Sequence, residues 1–139
     1  MKMRVMYSSK NGKVITFAEA ISQANGCLAN DIPPAYPADK ERLVILVLTL
    51  KDKPSDIVRR FCMELNPTRT QNVALVIDGP KDSKGEAILR ETLRNAGTNV
   101  IDDTYYLPKC GIFSSKITLQ ERQAIVDWSR KIQDIVAQG

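Results

Sequence analysis

The sequence predicts a three-layer α/β domain built on a parallel sheet with right-handed crossovers. Two observations lead there. Segments of helical spacing alternate with short apolar runs along the chain, with no internal repeat and no low-complexity tract. The central apolar run, "RLVILVLTL" at 42–50, is continuous rather than alternating, as a strand buried on both faces requires. The 139 residues fit one domain, 1–139, with a core large enough to be stable unaided.

Each element arises from its own residues. "MRVMY" at 3–7 reads as a strand. Val14, Phe17, Ala18 and Ile21 recur at helical spacing, so 13–25 is a helix closed by Asn25-Gly26. "CLA" at 27–29 is a brief strand, and "NDIPPAYPADKE", with its three prolines, is a surface connection. After the strand at 42–50, Pro54 and a serine or aspartate cap introduce a helix with Ile57, Val58, Phe61, Cys62 and Leu65 inward, stopped by Asn66-Pro67. "NVALVI" at 72–77 is a second buried strand. The helix at 85–96 carries Ile88, Leu89, Leu93 and Ala96 and ends at Gly97. "TNVIDDTYYLP" contains a further strand. A last helix, about 118–137, faces inward with Ile125, Trp128, Ile132, Ile135 and Val136.

Composition excludes several classes of chemistry. There is no histidine, which removes every mechanism needing an imidazole base. The three cysteines, Cys27, Cys62 and Cys110, are odd in number and form no Cys-x-x-Cys pair, against both a disulfide framework and a zinc site. With 43% hydrophobic and 26% charged residues, no run long enough to span a bilayer and no secretory leader, a cytoplasmic globular protein is expected, without a membrane partner. The net charge of +4 comes from basic residues spread along the chain, so no nucleic-acid partner is expected.

Ligands of parallel α/β sheets bind beyond the carboxyl ends of the strands. That rule selects four loops: Ser8–Lys13, Thr49–Pro54, Asp78–Gly85 and Pro108–Lys116. They carry Lys10, Lys13, Lys51, Lys53, Lys81, Lys84, Lys109 and Lys116, diluted by Asp52, Asp78 and Asp82. A lysine-bearing rim of this kind suits a phosphate-bearing ligand or an acidic partner surface, and it is also what ordinary polar loops look like. The loop "KCGIFSSK" has Lys116 where a Cys-x5-Arg phosphate loop needs arginine, and lysine lacks the bidentate fork, so Cys110 is not assigned a catalytic role.

The opening strand with "YSSKNG", the buried "LVILVL" and the terminal "QAIVDWSRKIQDIV" resemble the flavodoxin-like family over essentially the whole chain. The resemblance implies a five-stranded sheet in the order 2-1-3-4-5, FMN as cofactor and electron transfer as function, with a redox partner protein or a larger enzyme as partner. The family's first loop reads T/S-x-T-G-x-T. Here it begins at Ser9; Ser9 and Gly12 match, Asn11 replaces a threonine, and Lys13 and Val14 fill the last two positions. Receiver domains share the topology but need an acidic pair where this chain has Ser8-Ser9.

The resemblance places the phosphate on Ser8, Ser9, Asn11, Gly12 and Lys13. Amides at a helix N-terminus favour an anion there, and Lys13 adds charge that the usual motif lacks. Thr49, Leu50, Asp78 and Gly79 are the expected ring-edge contacts, through backbone groups more than side chains. Flavodoxins sandwich the ring between aromatic side chains, yet "TLKDKPS" and "DGPKDSKG" contain no Phe, Tyr or Trp. Leu50 is left to cover one face, and Phe113, Tyr105 or Tyr106 the other. A flavin-free binding or regulatory partner module is the alternative.

Overall fold

The computed structural model describes residues 1–8, 11–109 and 116–139. Its ten elements, in chain order, are β1 (Met3–Ser8), α1 (Gly12–Asn25), β2 (Ala29–Asp31), β3 (Glu41–Thr49), α2 (Asp56–Met63), β4 (Thr70–Asp78), α3 (Lys84–Ala96), β5 (Asn99–Val100), β6 (Tyr105–Tyr106) and α4 (Leu119–Gln138). All strand pairs are parallel, in the order β2-β1-β3-β4-β5, with β6 also on β4.

The expected strand order therefore holds, with the fifth strand in two pieces. Val100 sits opposite Val73, and Tyr105 opposite Val76. Between those pairings the edge chain advances five residues and β4 only three, so two extra residues bulge out. Both faces of the sheet grip the bulge. From α3, Arg90 donates to the Ile101 carbonyl at 3.2 Å and to the Thr104 hydroxyl. From α4, Lys131 pairs with the Asp103 carboxylate at 2.6 Å and the Trp128 indole N–H donates to it at 3.1 Å. Lys131, assisted by Trp128, holds the Asp103 carboxyl below its usual range against the opposing effect of burial.

Strand alternation divides the core in two. Met3, Val5, Leu43, Ile45, Val47, Ala74 and Val76 face α1 and α4, where Phe17, Ile21, Ile125, Trp128 and Ile132 meet them. Met6, Val44, Leu46, Leu48, Leu75 and Ile77 face α2 and α3, where Val58, Cys62, Leu89 and Leu93 meet them. Burial pushes the Cys62 thiol up to about 12, the environment of a packing residue rather than a nucleophile.

Local signals fix the helix ends. Asn11, Ser55, Ser83 and Thr118 cap α1, α2, α3 and α4, the last with a reciprocal bond from Glu121. Gly26 and Gly97, with φ of 62° and 102°, close α1 and α3 in the left-handed conformation. Several details differ from the sequence reading. β2 lies at 29–31 rather than 27–29, because its register is set by pairing with β1, Val5 opposite Ala29. Leu65 is buried just beyond the end of α2, while Ile57, Ile88 and Ile135 on the expected apolar stripes are exposed.

Candidate functional site

The strand ends that lead into the four selected loops lie together at one edge of the sheet. Register makes them level: Ser8 lies opposite Leu48, Thr49 opposite Asp78, and Tyr106 opposite Ile77. Because each helix runs back against its strand, the N-termini of all four helices open on the same edge. Lys51, Lys53, Lys81, Lys84, Lys109 and Lys116 are exposed on it.

The first loop joins Ser8, half-buried at the end of β1, to α1. Asn11 caps the helix, its side-chain oxygen accepting the Lys13 N–H at 3.0 Å. Gly12 is the first helical residue. The Lys13 side chain leaves this turn, crosses the end of β3 and meets Asp78 at the end of β4, with Nζ 3.2 Å from Oδ1. Ser9, Lys10, Cys110 and Phe113 lie outside the described residues.

The second and third loops are tied to each other. The strand ladder runs one step past Thr49, with the Leu50 N–H donating to the Asp78 carbonyl at 3.2 Å. The Gly85 N–H then donates to the Lys51 carbonyl at 2.9 Å. Both glycines are dictated by this approach: a Cβ at Gly79 would stand 1.9 Å from the Leu50 oxygen, and one at Gly85 2.9 Å from the Lys51 oxygen. The sequence reading placed Gly79 at a ring edge; what the structure shows is that it is the contact between two loops.

Of the side chains considered as ring covers, Leu50, Tyr105 and Tyr106 are described, and all three are engaged elsewhere. Leu50 is 3% exposed, part of the core under α2 and α3. Tyr105 packs on Trp128, ring centroids 5.7 Å apart. The Tyr106 hydroxyl donates to Glu86 at 2.6 Å, and Lys81 lies over its ring at 5.8 Å. Glu86 is itself buried and receives Arg90 at 3.0 Å, so Tyr106, Glu86 and Arg90 form one network beside the split strand. Sequence reasoning missed this network. Burial first, then the bond to Glu86, pushes the Tyr106 hydroxyl from 10.0 up to about 12.

That shift has a testable consequence. A folded-state pKa above the unfolded one means the contribution is complete below pH 10 and is lost as pH rises from there through about 12. Urea titrations across this window are expected to show a smaller fall in stability for Tyr106→Phe than for the wild type. The same fall in both would assign the alkaline loss to the other groups that burial raises, the Tyr105 hydroxyl and the thiols of Cys27 and Cys62.

Comparison with solved structures gives the fold its name. The chain superposes on the flavodoxin of Streptococcus pneumoniae TIGR4 with a TM-score of 0.67 at 9% identity, covering 95% of this chain and 97% of that one. Flavodoxin 2 from Bacillus cereus gives 0.66 at 13% identity, covering 96% and 99%. A short-chain flavodoxin associated with a PDU bacterial microcompartment gives 0.65 at 11%, covering 98% and 99%. At these identities the likeness is one of fold, and the fold is flavodoxin-like. No family model and no curated protein matches the chain. Among the described residues, no helix is long and apolar enough to cross a membrane.

FMN is the cofactor that the sequence resemblance implies, and the donor set can be tested against it. At the phosphate end the residues fit: a helix N-terminus with glycine at its first position, a capping amide at Asn11, Ser8 at the end of the preceding strand, and a lysine in the first turn whose ammonium rests on Asp78. At the ring end the described residues offer backbone at Thr49, Asp78 and Gly79 and no aromatic wall.

Proposed function

We propose that the chain is an FMN-binding carrier of the flavodoxin type, acting in electron transfer. The observation that carries this reading is the β1–α1 turn, where Ser8, Asn11, Gly12 and Lys13 gather at the carboxyl edge of a flavodoxin-like sheet. When bound, the flavin supplies the redox chemistry. The protein's own task is to anchor the phosphate, lay the ring edge along the strand ends at Thr49 and Asp78–Gly79, and present it to a redox partner protein or larger enzyme. No residue is assigned as nucleophile or proton donor.

The described residues give the ring no aromatic wall to stack on, so the phosphate end is taken to supply most of the affinity. Titration with FMN and with riboflavin, followed by flavin fluorescence, is therefore expected to separate the two by at least tenfold, about 1.4 kcal/mol. FMN binding weaker than tens of micromolar, on the order of −6 kcal/mol, would remove the carrier reading. The second reading would then stand: a flavin-free partner module. The observation favouring it is the tie between the two loops, Leu50 to Asp78 and Gly85 to Lys51, together with tyrosines committed to α3 and α4.

A further inference from the structure

We infer that the Lys13–Asp78 ion pair is a latch on the phosphate-binding turn. Asp78 holds the Lys13 ammonium at the end of β4 until an incoming phosphate draws it away. The inference rests on the proposed use of that turn and adds to it the residue that sets its affinity.

Three observations carry it. Lys13 belongs to the first turn of α1, yet its side chain points across β3 to a residue 65 positions away. Its backbone N–H is already taken by Asn11, which leaves the ammonium as the group this residue can offer an anion. The pair is 12% and 21% exposed, shielded enough for its charges to act strongly and open enough for the lysine to swing. A carboxylate and a phosphate compete for the same ammonium. A phosphate carries more charge and adds the helix N-terminus to its side of the balance, but it must take Lys13 from Asp78. The Asp78 carboxylate thus weakens binding of a phosphate that it does not itself hold, while the residue meets the ring edge through its backbone.

The sign of this effect is its signature. Asp78→Asn is expected to tighten FMN binding several-fold, whereas Lys13→Met weakens it about tenfold. Riboflavin, lacking the phosphate, should respond to neither change. Simple repulsion between Asp78 and the phosphate would also make Asp78→Asn tighter, and a double-mutant cycle separates the two. A latch acts only through Lys13, so the gain from Asp78→Asn should vanish in the Lys13→Met background. A gain that persists there, or a loss of affinity in Asp78→Asn alone, overturns the latch. Thermal melts without ligand confirm that all four proteins are folded. If the wild type fails to bind FMN, the same four proteins are titrated with inorganic phosphate and followed by phosphorus NMR line width. The same pattern then supports the latch while the flavin reading fails. Phosphate bound by none of them overturns both.

Discussion

Replacing Gly79 by alanine is expected to destabilise the protein by about 3 kcal/mol, lowering Tm by roughly 10 °C. The added Cβ would stand 1.9 Å from the Leu50 carbonyl oxygen and 3.1 Å from its carbon, with the Ile77 side chain 3.7 Å away. A flexible side chain could turn aside from such a contact; the backbone carbonyl of a residue whose own N–H is tied to Asp78 cannot do so without moving that tie. Either the Leu50-to-Asp78 hydrogen bond opens or one loop shifts as a body. Gly26→Ala is the control. It has φ of 62° but nothing within 4 Å of the new carbon, so only the left-handed backbone is penalised, by about 1 kcal/mol. Melts of the two variants side by side test the difference. If Gly79→Ala melts no lower than Gly26→Ala, the loops part easily, and the space between them is accessible to a planar ligand after all.

That tie between loops shows where a sequence stops being informative about a site. The loops themselves were legible, because strand and helix periods fix where each element ends and a parallel sheet brings all its carboxyl ends to one edge. Their partnership was not. Leu50 is an apolar residue at the mouth of a loop, which reads as well for a ring cover as for a core residue. The extra ladder bond to Asp78 carries the alternation of Leu46 and Leu48 one step further and sends Leu50 under α2 and α3. Lys13 and Asp78 were each recognised as site residues, but nothing along the chain says that they neutralise one another.

The two tyrosines are a different case, since part of their fate was readable. Adjacent residues of a strand point to opposite faces, so Tyr105 and Tyr106 could not both lean over one ligand. Tyr105 goes to Trp128 on the α4 side and Tyr106 to Glu86 on the α3 side. The strand that carries them was harder. "TNVIDDTYYLP" has neither the continuous apolar run of β3 nor a clean alternation. Its two short pieces are held in register by Arg90, Trp128 and Lys131, from helices on both sides. Contacts of that range leave no local period to detect.

The buried carboxylate in this arrangement yields the second large prediction. Glu86→Ala is expected to cost about 3 kcal/mol or more, because it strands two partners at once. Glu86 is 4% exposed and accepts both the Tyr106 hydroxyl at 2.6 Å and Arg90 Nε at 3.0 Å. Without it the guanidinium, held in place by the Ile101 carbonyl and Thr104, loses the carboxylate it is paired with. Glu86→Gln preserves shape and an acceptor for Tyr106, so its loss should be smaller, about 1–2 kcal/mol. Tyr106→Phe alone removes one hydrogen bond and should cost about 1 kcal/mol. In urea unfolding the Glu86→Ala and Tyr106→Phe losses are expected to be less than additive, since the tyrosine's hydrogen bond cannot be lost twice. Full additivity would mean that Tyr106 stabilises β6 by packing alone. It would then be free to turn toward the carboxyl edge, restoring one of the aromatic walls that the described residues otherwise lack.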